Sequence, residues 1–342
     1  MKCTVLKAEP AFIAAKPLPN FTLNSSHSTL HTPHSTLLTL PPPPAYDGME
    51  VLPMKFAVIG GDARAGWLAA LLAGEGHSVR CYALEKAALP QRISPCSSVE
   101  ACVYGADWVI LGVPAEKNGA VCTPLSLQHI QIEDLLTALW PGQTLCGGRF
   151  SQGTGLAAVR GGLKVCDLMA RRDFTVGNAA LTAEGALGLL IRESPRSLWK
   201  GRALVTGWGR IASNLAPRLR ALGCETWVAA HKAGDRAEAE AQGLRACTYD
   251  EIAERAGGLD FLVNTVPARV LDRAVLERVR PDAVLLELAS EPGFDPALAE
   301  ELGLRAVYAP GLPGKSAPCA AACLMRDTIR TVIREREESN GT

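Results

Sequence analysis

Gly207-Trp208-Gly209-Arg210-Ile211-Ala212 has the form G-x-G-x-x-A, a spacing that lets a backbone lie against a pyrophosphate. Gly207 permits a sharp strand-to-helix turn, Gly209 leaves room for phosphates, and Ala212 lets a helix pack closely on a strand. A helix opening at this turn offers N–H donors and a partial positive charge. The second strand beyond the turn ends in Ala230-His231-Lys232, with Arg236 close behind. An NAD site wants Asp or Glu there for the ribose hydroxyls, whereas a neutral residue followed by cations suits a 2′-phosphate. NADP is therefore favoured over NAD, with a solvated loop as the plain alternative for His231 and Lys232. Asn264-Thr265-Val266-Pro267 and Ala289-Ser290 close later strands, where polar groups would face the nicotinamide half of a dinucleotide. Turn chemistry accounts for them equally well.

A second group of residues suits an anionic substrate. Gly60-Gly61-Asp62-Ala63-Arg64 follows the first strand but lacks G-x-G spacing, so it does not fit a second pyrophosphate site. Arg64 could grip a carboxylate through two parallel hydrogen bonds, and a structural Asp62–Arg64 pair is the competing reading. Gly311-Leu312-Pro313-Gly314-Lys315 lies in a Pro- and Gly-rich loop ahead of a helix, where Lys315 could bind a carboxylate or simply face solvent. Asn178, Thr182 and Glu184 stand at the predicted start of a helix beside the same cleft, with helix capping the alternative for the first two.

The elements that must hold these residues alternate strand with helix from Met54 onward. Phe56–Gly60, His77–Ala83, Trp108–Val113 and Gln143–Cys146 read as strands, with a helix over Arg64–Gly76. The pattern restarts with a strand at Ala203–Thr206, a helix over Ile211–Leu222, and strands at Glu225–Ala230, Phe261–Thr265, Ala283–Leu288 and Arg305–Tyr308. Such alternation predicts an α/β protein with parallel sheets and crossover helices. The expected organisation is two Rossmann-like, doubly wound lobes joined by a linking helix, with a cleft between them. The expected boundaries are a substrate or partner lobe at 54–178, the linking helix at 179–193 and a nucleotide lobe at 194–310. A substrate loop and returning helix follow at 311–336, then a polar tail at 337–342.

The chain has 342 residues, 48% hydrophobic and 20% charged, with Lys+Arg 35 balancing Asp+Glu 35. That size suits two domains and a large core. The absence of net charge gives no footprint for nucleic acid or an anionic membrane. The 11 cysteines include no CxxC pair, which argues against a zinc site or a disulfide scaffold and for reduced thiols in the cytoplasm; no metal site is expected. Residues 1–53 differ from the rest: a Pro41–Pro44 run and two copies of His-Ser-Thr-Leu mark low-complexity coil. They carry neither a signal-peptide pattern nor a membrane span, and the folded protein is expected to begin near Met49 or Met54.

Taken together, these segments resemble the dipicolinate synthase A-subunit family. The resemblance rests on Gly60-Gly61-Asp62-Ala63-Arg64, Asn178-x3-Thr182-x-Glu184-Gly185, Gly207-x-Gly209-Arg210, Asn264-Thr265-x-Pro267, Leu288-Ala289-Ser290-x-Pro292-Gly293 and Ala309-Pro310-Gly311-Leu312-Pro313-Gly314-x2-Ala317-Pro318, and it runs from Met54 to about Arg336. It implies oxidation of a dihydrodipicolinate-level intermediate to pyridine-2,6-dicarboxylate during sporulation. It further implies a flavoprotein-like partner (the dipicolinate synthase B-subunit), homo-oligomers, and a cytoplasmic location in the mother cell. Glu184 and Lys315 become the implied catalytic residues. Gly61, Asp62, Arg64, Asn178, Thr182 and Gly311 to Gly314 become the implied substrate contacts. The cofactor would lie on Gly207, Trp208, Gly209, Arg210, Ile211, His231, Lys232, Asn264, Thr265, Val266, Pro267, Ala289 and Ser290. The chain departs from the family at Leu181, His231 and Cys319-Ala320-Ala321. The alternatives are another two-lobed NADP oxidoreductase, shikimate- or 2-hydroxyacid-dehydrogenase-like, or a non-catalytic NADP-binding protein.

Overall fold

The computed structural model describes residues 53–340. The low-complexity segment therefore lies outside the described residues, Pro53 apart. The first lobe opens with β1 (Lys55–Ile59), α1 (Ala63–Gly74), β2 (Ser78–Tyr82) and β3 (Ser94–Pro95). It continues with α2 (Val99–Val103), β4 (Trp108–Ile110), a small antiparallel hairpin of β5 (Glu116–Lys117) and β6 (Ala120–Val121), and α3 (Ile132–Ala138). It closes with β7 (Thr144–Gly147), α4 (Gln152–Arg160) and β8 (Lys164–Asp167). Its six-stranded sheet is parallel and ordered β3-β2-β1-β4-β7-β8.

Helix α5 (Arg172–Glu193) leads to the second lobe: β9 (Arg202–Thr206), α6 (Arg210–Ala221), β10 (Glu225–Ala229), α7 (Ala233–Ala241), β11 (Arg245–Cys247), α8 (Ile252–Ala256), β12 (Phe261–Asn264), α9 (Arg273–Leu276), β13 (Val284–Glu287), α10 (Pro296–Glu301) and β14 (Arg305–Tyr308). This sheet is also parallel and six-stranded, ordered β11-β10-β9-β12-β13-β14. It is the 3-2-1-4-5-6 order of a dinucleotide-binding sheet, reversing between β9 and β10 on one side and β12 on the other. Two helices complete the chain, α11 (Leu312–Ser316) and α12 (Pro318–Asn340).

Burial follows the pleat. Along β9, Ala203 and Val205 face one core and Leu204 the other; Phe261 and Val263 against Leu262 repeat this on β12, and Val284 and Leu286 against Leu285 on β13. Both faces are covered, so these strands read as continuous apolar runs. Helices α5 and α6 cover one face through Ala183, Ala186, Leu190, Leu215 and Leu219, while α8, α9 and α10 cover the other through Ile252, Val275 and Leu298.

The linking helix begins at Arg172, seven residues before the predicted Ala179. Gly177 and Asn178 look like a helix start in sequence, but Gly177 is small because α12 crosses there: a Cβ on it would stand 2.8 Å from Leu324. By length and composition α5 could cross a membrane. In the fold its apolar face is spent on the second core and on α12. Helix α12 returns to the first lobe along α1, where Arg326 and Arg330 approach the Glu75 carboxylate at 3.2 and 3.0 Å. Farther along, Arg336 donates to Thr144 Oγ1 and stacks on Trp108. The short strands β8 and β11 carry too few apolar residues to signal themselves in sequence. The ten described cysteines are free thiols.

Candidate functional site

At the C-terminal end of β9 the chain turns on Gly207, whose φ of +82° suits glycine and whose N–H donates to Ala229 O at 2.7 Å. A Cβ there would press on Val266 Cγ2 at 2.8 Å. At Gly209 the opposite holds: a Cβ would meet nothing within 4 Å, and no side chain caps α6. The unfilled space and uncapped N–H groups fit the pyrophosphate of a dinucleotide, so Gly207, Trp208, Gly209, Arg210 and Ile211 would hold it. The Trp208 indole N–H donates to Glu238 at 3.0 Å, which turns its ring toward α7 and leaves only its backbone in the turn. His231 and Lys232 stand exposed where β10 ends, and no acidic residue replaces them there. Arg236 folds back to donate to Ala230 O and His231 O, each at 2.8 Å, fixing that loop.

Asn264 does not face a cofactor with its side chain, contrary to the expectation from its motif. It is wholly buried, and its side chain is spent internally: Thr206 Oγ1 donates to its Oδ1 at 2.5 Å, and its amide donates to Glu287 and to Val266 O. No side-chain atom remains to touch a cofactor. The Thr265 hydroxyl likewise points inward, donating to Thr206 O at 2.7 Å. Val266 packs beside Gly207, Pro267 and Ser290 are exposed, and Ala289 is buried with its N–H on Glu287. Sequence reasoning misses Glu287 altogether, because one carboxylate ending an apolar strand carries no motif.

In the first lobe the glycine turn is occupied by its own chain. Gly61 N–H donates to Cys122 O at 2.7 Å, and a Cβ on Gly60 would stand 2.8 Å from that carbonyl. The segment after the hairpin thus fills the place where a pyrophosphate would sit, and Gly61 is a packing residue with no N–H left for substrate. Asp62 caps α1 and takes the fork of Arg64, with Nε to Oδ1 at 2.9 Å and Nη2 to Oδ2 at 2.8 Å. Arg64 Nη2 also donates to Val113 O. The bidentate face of Arg64, predicted for a substrate carboxylate, is therefore engaged by Asp62, and the residue is 4% exposed.

The Pro-Gly-rich loop forms α11 rather than an open strap. Leu312 belongs to the second lobe's core and Pro313 is buried, which removes both as exposed substrate contacts. Gly311, at φ +68°, starts α11. Gly314 abuts the first lobe: a Cβ on it would lie 2.9 Å from Arg64 Nε and closer still to Asp62 Oδ2. On its other side α11 meets α5, where Gly185 leaves room for Ser316. Thr182 and Asn178 are mid-helix, not caps: Thr182 Oγ1 donates to Asn178 O at 2.7 Å, and Thr182 is buried. Glu184 and Lys315 are exposed, on α5 and α11 respectively, each next in sequence to a residue of that contact, Gly185 and Ser316. Helix α11 thus touches both the Asp62–Arg64 pair, through Gly314, and α5, through Ser316 and Gly185, with Lys315 and Glu184 each one residue from these contacts.

A cavity of about 970 Å³ opens in the first lobe alone, lined by Pro114, Lys117, Arg149, Phe150 and Thr154 among others. None of the predicted site residues lines it. Pro114, which lines it, follows Val113, whose carbonyl accepts from Arg64.

Comparison with known proteins bears on this arrangement. Residues 55–169 match the profile of the dipicolinate synthase A-subunit N-terminal domain. Residues 168–302 match that of the NAD-binding domain of D-isomer specific 2-hydroxyacid dehydrogenases. A curated relative from Bacillus subtilis (strain 168), the dipicolinate synthase A-subunit, is 28% identical over 294 residues, covering 84% of this chain and 98% of its own. This chain resembles the dipicolinate synthase A-subunit. The crystal structure of the dipicolinate synthase A-subunit from Bacillus subtilis superposes with a TM-score of 0.73 at 27% identity, over 84% of this chain and 98% of that one. Its counterpart from Bacillus halodurans gives the same TM-score at 24% identity, over 82% and 97%, which speaks to the fold. The α/β fold with its Rossmann-like domain is thus the fold of the dipicolinate synthase A-subunit, and the dehydrogenase-type domain supports an oxidoreductase using a nicotinamide cofactor.

Proposed function

We propose that this chain is the dehydrogenase component of a dipicolinate synthase. It would oxidise a dihydrodipicolinate-level intermediate to pyridine-2,6-dicarboxylate with NADP⁺ or, second, NAD⁺. The observation that carries the reading is the contact of Gly314 with Asp62 and Arg64, because it joins the two segments most particular to the resemblance. A nicotinamide dinucleotide, when bound, supplies the hydride acceptor. The balance is one hydride to the cofactor and one proton to a base or to water, and the product ring becomes aromatic.

Each residue has a task in this reading. The N-terminal N–H groups of α6 and the exposed Arg210 receive the pyrophosphate. His231 and Lys232 meet the 2′-phosphate, which is the basis for preferring NADP. Lys315 meets a substrate carboxylate in open solvent. Arg64 contributes charge to the substrate region while Asp62 fixes its orientation, or releases to bind a carboxylate once substrate competes for it. Glu184 takes the ring proton. The resemblance adds a flavoprotein-like B-subunit, the second component of the synthase, and the cytoplasm of a sporulating cell as the setting.

The test is an assay of the purified full chain, alone and with the flavoprotein-like partner, on enzymatically generated dihydro substrate. The reading expects dipicolinate and reduced NADP in equal amounts. Reduced cofactor without dipicolinate, or neither in both preparations, would contradict it. The second reading, a 2-hydroxyacid dehydrogenase, would show as oxidation of D-2-hydroxy acids by the chain alone.

A further inference from the structure

Glu287 ends β13 with no solvent exposure, and no Lys, Arg or His stands within 4.0 Å of its carboxylate among the described residues. Every partner it has is an N–H donor. Oε1 accepts from Ala289 N at 2.8 Å and Oε2 from Gly293 N at 2.8 Å, while the Asn264 amide lies 2.8 and 2.9 Å from the two oxygens. Asn264 passes the connection on, since its Oδ1 accepts from Thr206 Oγ1 at 2.5 Å and from Val266 N at 3.2 Å. Thr206 is the residue before Gly207. Close approach is built in as well, for a Cβ on Gly293 would lie 2.6 Å from Asn264 Cγ.

One buried chain of hydrogen bonds therefore runs Gly293–Glu287–Asn264–Thr206, joining the loop after β13, the turn after β12 and the pyrophosphate turn after β9. Burying an unpaired carboxylate is costly: desolvation pushes its titration up from the ordinary value, and the N–H donors only partly offset this. A fold needing only packing there could use Leu or Gln. In the 3-2-1-4-5-6 sheet order, the ends of β12 and β13 belong to the second mononucleotide half.

We propose that Glu287 is a positioning residue for the nicotinamide half of the cofactor, fixing the 264–267 and 288–293 loops relative to the Gly207 turn through Asn264 and Thr206. It touches no cofactor atom itself. Glutamine in its place would turn an NH₂ group toward backbone N–H donors, leaving at least one of Ala289 and Gly293 without an acceptor.

The test uses the full chain and calorimetric titration with two probes: NADP⁺, which spans both halves, and adenosine 2′,5′-bisphosphate, which carries only the adenosine half. For Glu287→Gln we expect the NADP⁺ Kd to rise about tenfold while the bisphosphate Kd stays within about twofold, the loss of a charge-assisted acceptor being of that order. Thr206→Val breaks the chain at its other end and should act the same way. The double variant should cost less than the two single effects combined, because both cut one network. Unchanged NADP⁺ affinity in a folded Glu287→Gln protein would overturn the inference. So would equal loss for both probes in Glu287→Gln and Thr206→Val, which would mean general loosening. If only Thr206→Val folds, its differential effect decides alone. Wild-type protein that binds neither NADP⁺ nor NAD⁺ would defeat the cofactor reading itself.

Discussion

Gly314 packs against the Asp62 carboxylate so closely that no side chain fits between them, and Asp62 is held there by the two-pronged bond from Arg64. The contact is where the C-terminal segment of the second lobe meets the first strand-to-helix turn of the chain. An Ala at 314 must therefore shift a paired Asp–Arg couple rather than a free side-chain tip. We expect Gly314→Ala to cost about 1–3 kcal/mol of stability, as overpacking does, and to lower kcat/KM for substrate by about tenfold or more. Thermal melts and steady-state kinetics on one preparation check both effects; wild-type kinetics in the variant would detach this contact from function.

Arg64→Ala separates the two roles open to that residue. If Arg64 serves substrate, its loss raises substrate KM about tenfold or more while the cofactor Kd stays within about twofold, the cost of removing a charged hydrogen bond. Asp62→Asn weakens the fork without removing the guanidinium, and should raise KM less. A normal substrate KM in folded Arg64→Ala would leave the Asp62–Arg64 pair purely structural.

Cofactor preference should reside in two exposed side chains. Lys232→Glu places an anion where the 2′-phosphate would lie, and we expect kcat/KM for NADP⁺ to fall about tenfold or more with that for NAD⁺ changed by less than about threefold. Kinetics with both cofactors measure it. An equal fall for both would move the recognition of the adenosine half elsewhere.

The C-terminal end of α12 is tied down by charge. Arg171 makes two hydrogen bonds of 2.8 Å to Glu335 and a fork to Asp173, and these bonds hold both carboxyls below the usual carboxylate range. A carboxyl whose titration is lower in the fold than in the unfolded chain adds stability above its unfolded value, and that stability is lost as pH falls through the folded value. Amide protection factors over residues 331–340, taken against the intrinsic exchange rate at each pH, should therefore be unchanged from about pH 7 to 5 and fall only below about pH 4, where ordinary carboxylates titrate. Loss of protection near pH 6 would contradict this assignment.

What can be read from sequence divides along physical lines. The β9–α6 turn is legible because its constraints are local: Gly207 needs a positive φ, Gly209 needs open space, and both stand in a single hexapeptide. The strands are legible because both faces of a parallel sheet are buried, which makes Phe261–Asn264 or Val284–Glu287 apolar without interruption until the final residue. The fates of Asn264 and Leu312 are not legible. Each sits in a motif that looks exposed, yet Asn264 is claimed by Glu287 and Thr206, which are distant in sequence, and Leu312 by a core built from several elements. The early start of α5 is hidden for the same reason, since Gly177 answers to Leu324 on another helix.

The central claim is that this chain carries the hydride step. Substrate deuterated at the saturated ring carbon bonded to nitrogen, the one that gives up hydride, turned over by the full chain with its flavoprotein-like partner and NADP⁺, tests it most directly by mass spectrometry of the reduced cofactor. We predict one deuterium per reduced nicotinamide, with dipicolinate formed in equal amount. Deuterium released to solvent, with dipicolinate formed but an unlabelled cofactor, would place the oxidation outside this chain.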